Sequence, residues 1–217
     1  MNALLNIRTV FVTLCLVCAA LSQAHGKPAQ YEPREGDIMF QSSPRTPLID
    51  AIEGATSSSF SHCGIVHRTN PRWVVIEAIG PVKETPLEEW IDRGRDNRYT
   101  VYRLKGPYRK MIPSFVKAAQ SYMGLPYDIH YDLDDAAIYC SELVYKAYRK
   151  ATGQTLGRLQ SLGELHWQPY ENVIRDIEDG ALPLDRKMIT PRALSEAAQL
   201  EHVYSSDLSR SASKMGG

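Results

Sequence analysis

Neither sign of charge dominates this chain. Lys+Arg and Asp+Glu stand at 25 each over 217 residues, which removes the broad basic surface that nucleic-acid binding draws on. Cysteine is scarce: four residues are too few for a disulfide scaffold, and the CxxC spacing of Cys15 and Cys18 falls inside the N-terminal apolar run, where it suggests no zinc site. After the N-terminal run no second long hydrophobic stretch occurs, so nothing further along reads as a membrane span. With 43% hydrophobic and 23% charged residues, the composition excludes a disordered or fibrous chain and fits one well-buried domain.

What is present begins with a targeting pattern. Arg8 precedes an apolar run from Val10 to Leu21, and Ser22-Gln23-Ala24 follows. A charged start, about a dozen apolar residues and a small-x-small site make a secretory signal over residues 1–24, cleaved after Ala24. The run is shorter than the roughly 20 residues a bilayer span requires. A periplasmic or secreted domain is expected, with no transmembrane segment in the mature chain. Cleavage leaves Cys63 and Cys140, which either bridge each other or divide into one reactive thiol and one buried companion.

The domain is expected over residues 25–205, with a Ser/Gly-rich flexible tail at 206–217. Ile38 to Gln41 reads as a short strand. Thr46-Pro47 opens a helix with Gly54 as its stop, and Thr85-Pro86-Leu87-Glu88 reads as a capping box opening another that ends at Gly94. Between them, Ser61–Arg68 and Trp73–Ile79 flank the turn Thr69-Asn70-Pro71-Arg72 and form an antiparallel hairpin. Tyr99–Leu104 is a third strand. Helices are expected over Ile112–Met123, over Tyr139–Thr152 with Gly153 closing it, and after Thr190-Pro191. Residues 154–189 show no clear pattern and are candidates for a lid. Strands and helices are segregated along the chain, which favours α+β architecture.

Cys140 falls at the expected first turn of a helix, where unpaired N–H groups and the positive dipole end favour a thiolate. A lone cysteine there is as well explained by burial. The hairpin adds an imidazole and a carboxylate. A turn centred between Thr69 and Asn70 sets the sum of opposed residue numbers near 139, which places His62 directly across from Glu77; a register shifted by one step leaves them diagonal on the same face. An imidazole beside a carboxylate is the arrangement that fixes a tautomer and stabilises the imidazolium. By the same parity Cys63 and His67 point away from the His62 face, so a zinc site from these three is geometrically poor. Cys63 is expected in the core behind the sheet, His67 in solvent near the strand end, and His130, His166 and His202 in surface loops. Asp128, Asp132, Asp134 and Asp135 lack the pattern of a calcium loop and are expected to cap the following helix or contact substrate.

These residues carry a resemblance. Gly36-Asp37-Ile38-Met39-Phe40-Gln41, Ser61-His62-Cys63-Gly64, the run from Glu77 to Lys83, Thr85-Pro86-Leu87, Gly124-Leu125-Pro126-Tyr127-Asp128, Tyr139-Cys140-Ser141-Glu142 and Thr190-Pro191 are similar in order and spacing to the YiiX-type, circularly permuted papain-fold hydrolases of the NlpC superfamily. The resemblance implies an antiparallel sheet packed against helices, with Cys140 as nucleophile, His62 as base and acid, and Glu77 as the orienting carboxylate. No cofactor and no metal are expected. Tyr127 and Ser141 are candidates for oxyanion or substrate contacts.

Two substrate classes follow from the resemblance: peptidoglycan stem peptides, expected first, and lipid acyl groups that are hydrolysed or transferred. Either would be a peptide or acyl substrate in the cell envelope. A third reading, of another class, is a non-catalytic binding protein with Cys140 tied up in a disulfide.

Overall fold

The computed structural model describes residues 31–207. The expected signal segment and residues 208–217 of the expected tail lie outside these. The described chain runs β1 (Ile38–Gln41), α1 (Pro47–Thr56), β2 (His62–Thr69), β3 (Arg72–Ala78), β4 (Val82–Pro86), α2 (Leu87–Arg93) and β5 (Tyr99–Leu104). It continues through α3 (Ile112–Gln120), α4 (Cys140–Thr152), β6 (Gln160–Ser161), α5 (Glu171–Ile177), β7 (Lys187–Met188), α6 (Pro191–Ser195) and β8 (Leu200–Ser205). Six strands form one sheet in the order β4-β3-β2-β1-β5-β8, every neighbouring pair antiparallel, and β6 pairs with β7 apart from it. The architecture is the α+β one expected.

Strand alternation divides the apolar residues between two faces. Ile38, Phe40, Cys63, Ile65, Ile76 and Ala78 pack with Phe115 and Val116 of α3 and with Leu143, Val144, Ala147 and Tyr148 of α4. Met39, Val66, Val75 and Val101 turn the other way and close over Trp90 of α2. On that second face the buried Asp37 carboxylate takes a bidentate pair from Arg103, 2.6 Å from Nε and 2.8 Å from Nη2, which joins the lead-in of β1 to β5.

Several local expectations are corrected. Gly54 lies inside α1 and does not end it; Ser57, at φ 50°, is the left-handed terminator. A Cβ at Gly54 would sit 1.7 Å from the Tyr170 hydroxyl oxygen, so the missing side chain makes room for Tyr170. Thr85 and Pro86 belong to β4, and the Thr85 hydroxyl caps no helix. The helix opening at Ile112 stops at Gln120, and residues 121–123 continue as tighter turns bonded three residues back.

His202 lies on β8, where its Nε2 meets Ser205 Oγ at 2.8 Å, and not in a loop. Ser206, which composition assigned to the tail, is buried and accepts the Tyr99 N–H at 3.0 Å. Among the described residues no helix is long and apolar enough to cross a membrane.

Candidate active site

β2 and β3 pair with Ile65 opposite Ile76 and Val66 opposite Val75, a register one step from the direct His62–Glu77 alignment. Continuing it puts Gly64 across from Glu77 and leaves His62 diagonal to it on the same face. Gly64 has no side chain to stand between them. His62 Nε2 meets Glu77 Oε2 at 2.5 Å, with the His62 side chain 5% exposed and that of Glu77 fully buried.

Glu77 has two further partners. The Thr85 hydroxyl donates to Oε1 at 2.6 Å, and Arg93 at the end of α2 pairs closely with Oε2. A carboxylate this deep needs such compensation. Burial opposes its charge, but the hydrogen bond and charge of His62, with help from Thr85 and Arg93, hold its pKa at about 2. The His62 ring also lies against Trp90, with ring centroids 6.0 Å apart.

Cys140 is the first residue of α4. Tyr139 stands at the N-cap in extended conformation, and the Glu142 carboxylate turns back to accept the Tyr139 N–H at 3.2 Å. The helix delivers the Cys140 sulfur to the start of β2, 4.0 Å from the Ser61 carbonyl oxygen. The Ser61 side chain is itself held: its hydroxyl donates to Glu53 at 3.1 Å and accepts the Ser43 N–H at 2.8 Å.

His62 and Cys140 interact through their side chains, each shifting the other's proton affinity. With Nε2 turned to Glu77, Nδ1 is the nitrogen that serves the thiol. Burial opposes charge on His62, yet the hydrogen bonds to Cys140 and Glu77 and the charge of both lift its pKa to about 9. A hydrogen bond from the Cys63 thiol is the largest influence on Cys140. Burial works against it, but His62 and the Cys63 backbone add to it, and the Cys140 thiol is held well below its ordinary value. The arrangement favours a thiolate beside an imidazolium at neutral pH.

Cys63 is a core residue, as expected, but it lies on the side from which α4 approaches, so it meets Cys140 directly. Burial and the neighbouring Cys140 push the Cys63 thiol up, so it stays protonated and donates. Both cysteines are free thiols. His67 is not solvated. Its Nδ1 meets Glu35 at 2.7 Å and its Nε2 meets Gln120 of α3 at 3.0 Å, because strand parity turns it toward the helices.

The loop before α4 is laced onto its approach by a parallel bridge between Tyr127 and Ile138. Burial and the charge of Cys140 push the Tyr127 hydroxyl well up, which keeps it a donor near the sulfur. The Ser141 hydroxyl points elsewhere and donates to the Ile189 carbonyl at 2.8 Å. All four aspartates are engaged with protein partners. Asp134 caps the Ala136 N–H at 2.8 Å, Asp135 pairs with Lys146 at 2.9 Å, and Asp132 pairs with Arg186 at 2.8 Å. One Asp128 oxygen accepts the His130 N–H at 2.9 Å, closing its own turn.

Thr85, Arg93, Gly64 and the Cys63 contact were missed by sequence reading. Thr85 carried a misleading signal, since Thr-Pro before an apolar run imitates a helix start.

The chain was compared with known proteins. It is 35% identical to the uncharacterised protein YiiX of Escherichia coli (strain K12) over 176 residues, which cover 80% of this chain and 87% of that protein. A crystal structure of YiiX from Escherichia coli O157:H7, described as a metalloprotein, matches with a TM-score of 0.76 and 36% identity, covering 80% of this chain and 98% of that one. Among the described residues here, no group of three His, Cys, Asp or Glu side chains converges to hold a metal ion, so the donor set does not fit one and no step is routed through it. The model of the permuted papain-like amidases, YaeF/YiiX, matches residues 32–204. With the match spanning nearly every described residue, the chain belongs to the permuted papain-like amidase family.

Proposed function

We propose that this protein is an exported cysteine amidase of the cell envelope, working through a thioester on Cys140 with His62 as base and acid and Glu77 as the orienting carboxylate. The observation that carries the reading is the 2.5 Å contact of His62 with the buried Glu77, joined on the other side of the ring to Cys140. Export rests on the pattern of residues 1–24.

In this reaction the Cys140 thiolate attacks the amide carbonyl carbon. The oxyanion is met by the Cys140 N–H, which has no partner within the helix, and by the Tyr127 hydroxyl. The C–N bond breaks as imidazolium His62 gives its proton to the leaving amine. Water, deprotonated by the now neutral imidazole, cleaves the thioester and frees the thiolate. Glu77 keeps the ring in place and supports its charge. Ser141 serves by tying α4 to Ile189, the residue after β7. Peptidoglycan stem peptides and acyl amides remain the two substrate classes carried over from the resemblance, and both present the carbonyl this chemistry needs.

The test is the pH dependence of Cys140 alkylation by iodoacetamide, read by mass spectrometry with Cys63 as internal control. Cys140 should react below the free-thiol range near pH 8.5, and its pKa should rise in His62→Ala. A Cys140 that reacts only as a free thiol, or that is bridged to Cys63 in folded protein, would falsify the reading.

A further inference from the structure

Three independent observations meet at Tyr131, in the loop that leads into α4. The first is its backbone, which is left-handed at φ 59°. Glycine adopts that conformation without strain, and a bulky aromatic residue rarely does so. One guanidinium holds both chain neighbours: Arg186 donates to the His130 carbonyl at 2.5 Å and pairs with Asp132 at 2.8 Å. The ring is fixed edge-on against Tyr139, with centroids 5.1 Å apart. The fold keeps a tyrosine where the backbone alone would prefer glycine. Strain of this kind persists only where the surroundings enforce it, and it gathers at ligand-contacting sites.

The second observation is the hydroxyl. Tyr131 lines a cavity of about 100 Å³ that lies beside Cys140 between α1 and α5. In the same wall the hydroxyls of Thr56, Ser61, Tyr139, Ser141 and Thr190 are all bonded within the protein. Tyr131 Oη is buried and, among the described residues, has no partner within hydrogen-bond distance. A hydroxyl buried unpaired is unfavourable. Burial and the charge of Cys140 push its pKa up, so it keeps its proton and serves as a donor. An acceptor brought by the substrate would complete it.

The third observation is position. Tyr139, on which the ring rests, is the residue before Cys140. Tyr131 faces the cavity, whereas Tyr127, the oxyanion donor of the mechanism above, does not line it. The Tyr131 hydroxyl therefore suits an atom set back from the reacting carbonyl. We propose that Tyr131 is a substrate-contacting, specificity-determining residue, whose hydroxyl donates to the carbonyl oxygen one residue back from the scissile bond on the acyl side. The group recognised is then an N-acylated amino acid; a plain hydrocarbon acid would leave the hydroxyl unpaired. The inference rests on the amidase reading and assigns a residue within it. At about 10–15 Å³ for each water-sized atom, the cavity holds roughly seven to ten non-hydrogen atoms, enough for one acetylated residue.

The experiment uses two aldehydes of matched length, N-acetyl-L-alaninal and 2-methylpentanal, as reversible probes of Cys140 in the full chain. Each forms an S–C bond from the Cys140 sulfur to its carbonyl carbon, while the carbonyl oxygen takes the proton of His62. Binding is read as protection of Cys140 from iodoacetamide. Only the first aldehyde carries the set-back carbonyl. One hydrogen bond is worth about five- to tenfold in affinity. Tyr131→Phe, which removes a single oxygen, should therefore weaken N-acetyl-L-alaninal by about that factor and leave 2-methylpentanal unchanged. The pH profile of unprotected Cys140 alkylation should not move. Because the hydroxyl is unpaired in the free protein, the urea midpoint of the variant should hold or rise.

Equal weakening of both aldehydes, protection by neither, a preference untouched by the substitution, or a lowered urea midpoint would overturn the proposal while Cys140 alkylation still supported the amidase. A Cys140 inert to iodoacetamide would remove the amidase reading, and this inference with it.

Discussion

Replacing Gly64 by alanine probes the geometry that brings His62 to Glu77. Gly64 has no positive φ, and at a compatible position Gly→Ala ordinarily stabilises a protein by about 0.4–1 kcal/mol. Here the new Cβ would lie 2.4 Å from Val75 Cγ1, 2.9 Å from the Ile76 carbonyl oxygen and 3.3 Å from Glu77 Cβ. The valine methyl can rotate, but the carbonyl is part of the neighbouring strand and can move only with it. Overpacking of this kind costs about 1–3 kcal/mol, which for a domain of this size lowers Tm by roughly 2–12 °C.

The strand shift also carries Glu77 away from His62. Cys140 alkylation at pH 6 should therefore fall even under conditions where the variant is fully folded. Urea unfolding measures the first effect and alkylation rates the second. A variant as stable as the parent, with an unchanged alkylation profile, would refute the argument that the missing side chain is what admits the diagonal pair.

Activity should hold from below neutral pH up to about 9, falling above it as His62 loses the proton the leaving group needs; a plateau continuing well past that point would count against the imidazolium as acid. In stability the two partners act at opposite ends. The His62 contribution is full below its unfolded value of 6.5 and is lost as pH rises through about 9, while that of Glu77 is full above 4.5 and is lost as pH falls toward about 2; urea midpoints across pH measure both. Asp37→Ala strands the buried Arg103 guanidinium and should cost about 3–5 kcal/mol, checked by urea unfolding, with a loss under 1 kcal/mol as the contrary result. Ser141→Ala leaves the Ile189 carbonyl without its donor and should cost about 1–3 kcal/mol while sparing Cys140 alkylation; an equal collapse of alkylation in folded protein would assign the hydroxyl a direct part at the sulfur.

What the sequence determined by itself was local in origin. Alternation over residues 62–78 assigned His62 and Glu77 to one strand face and Cys63 to the other, and a one-step change of register altered only which neighbours face each other. Cys140 could be placed at a helix start because the helix expected over Tyr139–Thr152 is closed by Gly153. The order of motifs then identified the family.

Tertiary structure decided everything that depended on meetings between distant segments. Thr85 was recruited from an apparent helix cap to a strand by its pairing with Val75 and by the buried charge of Glu77. Arg93 reached the same carboxylate only because α2 folds over that face. Cys63 found Cys140, and α5 closed the cavity against α1, across separations no local pattern records. Side-chain periodicity is set by backbone geometry within a few residues, and it survives in sequence. The depth of a charge and the company it keeps are set by packing, which brings together residues with no periodic relation to one another.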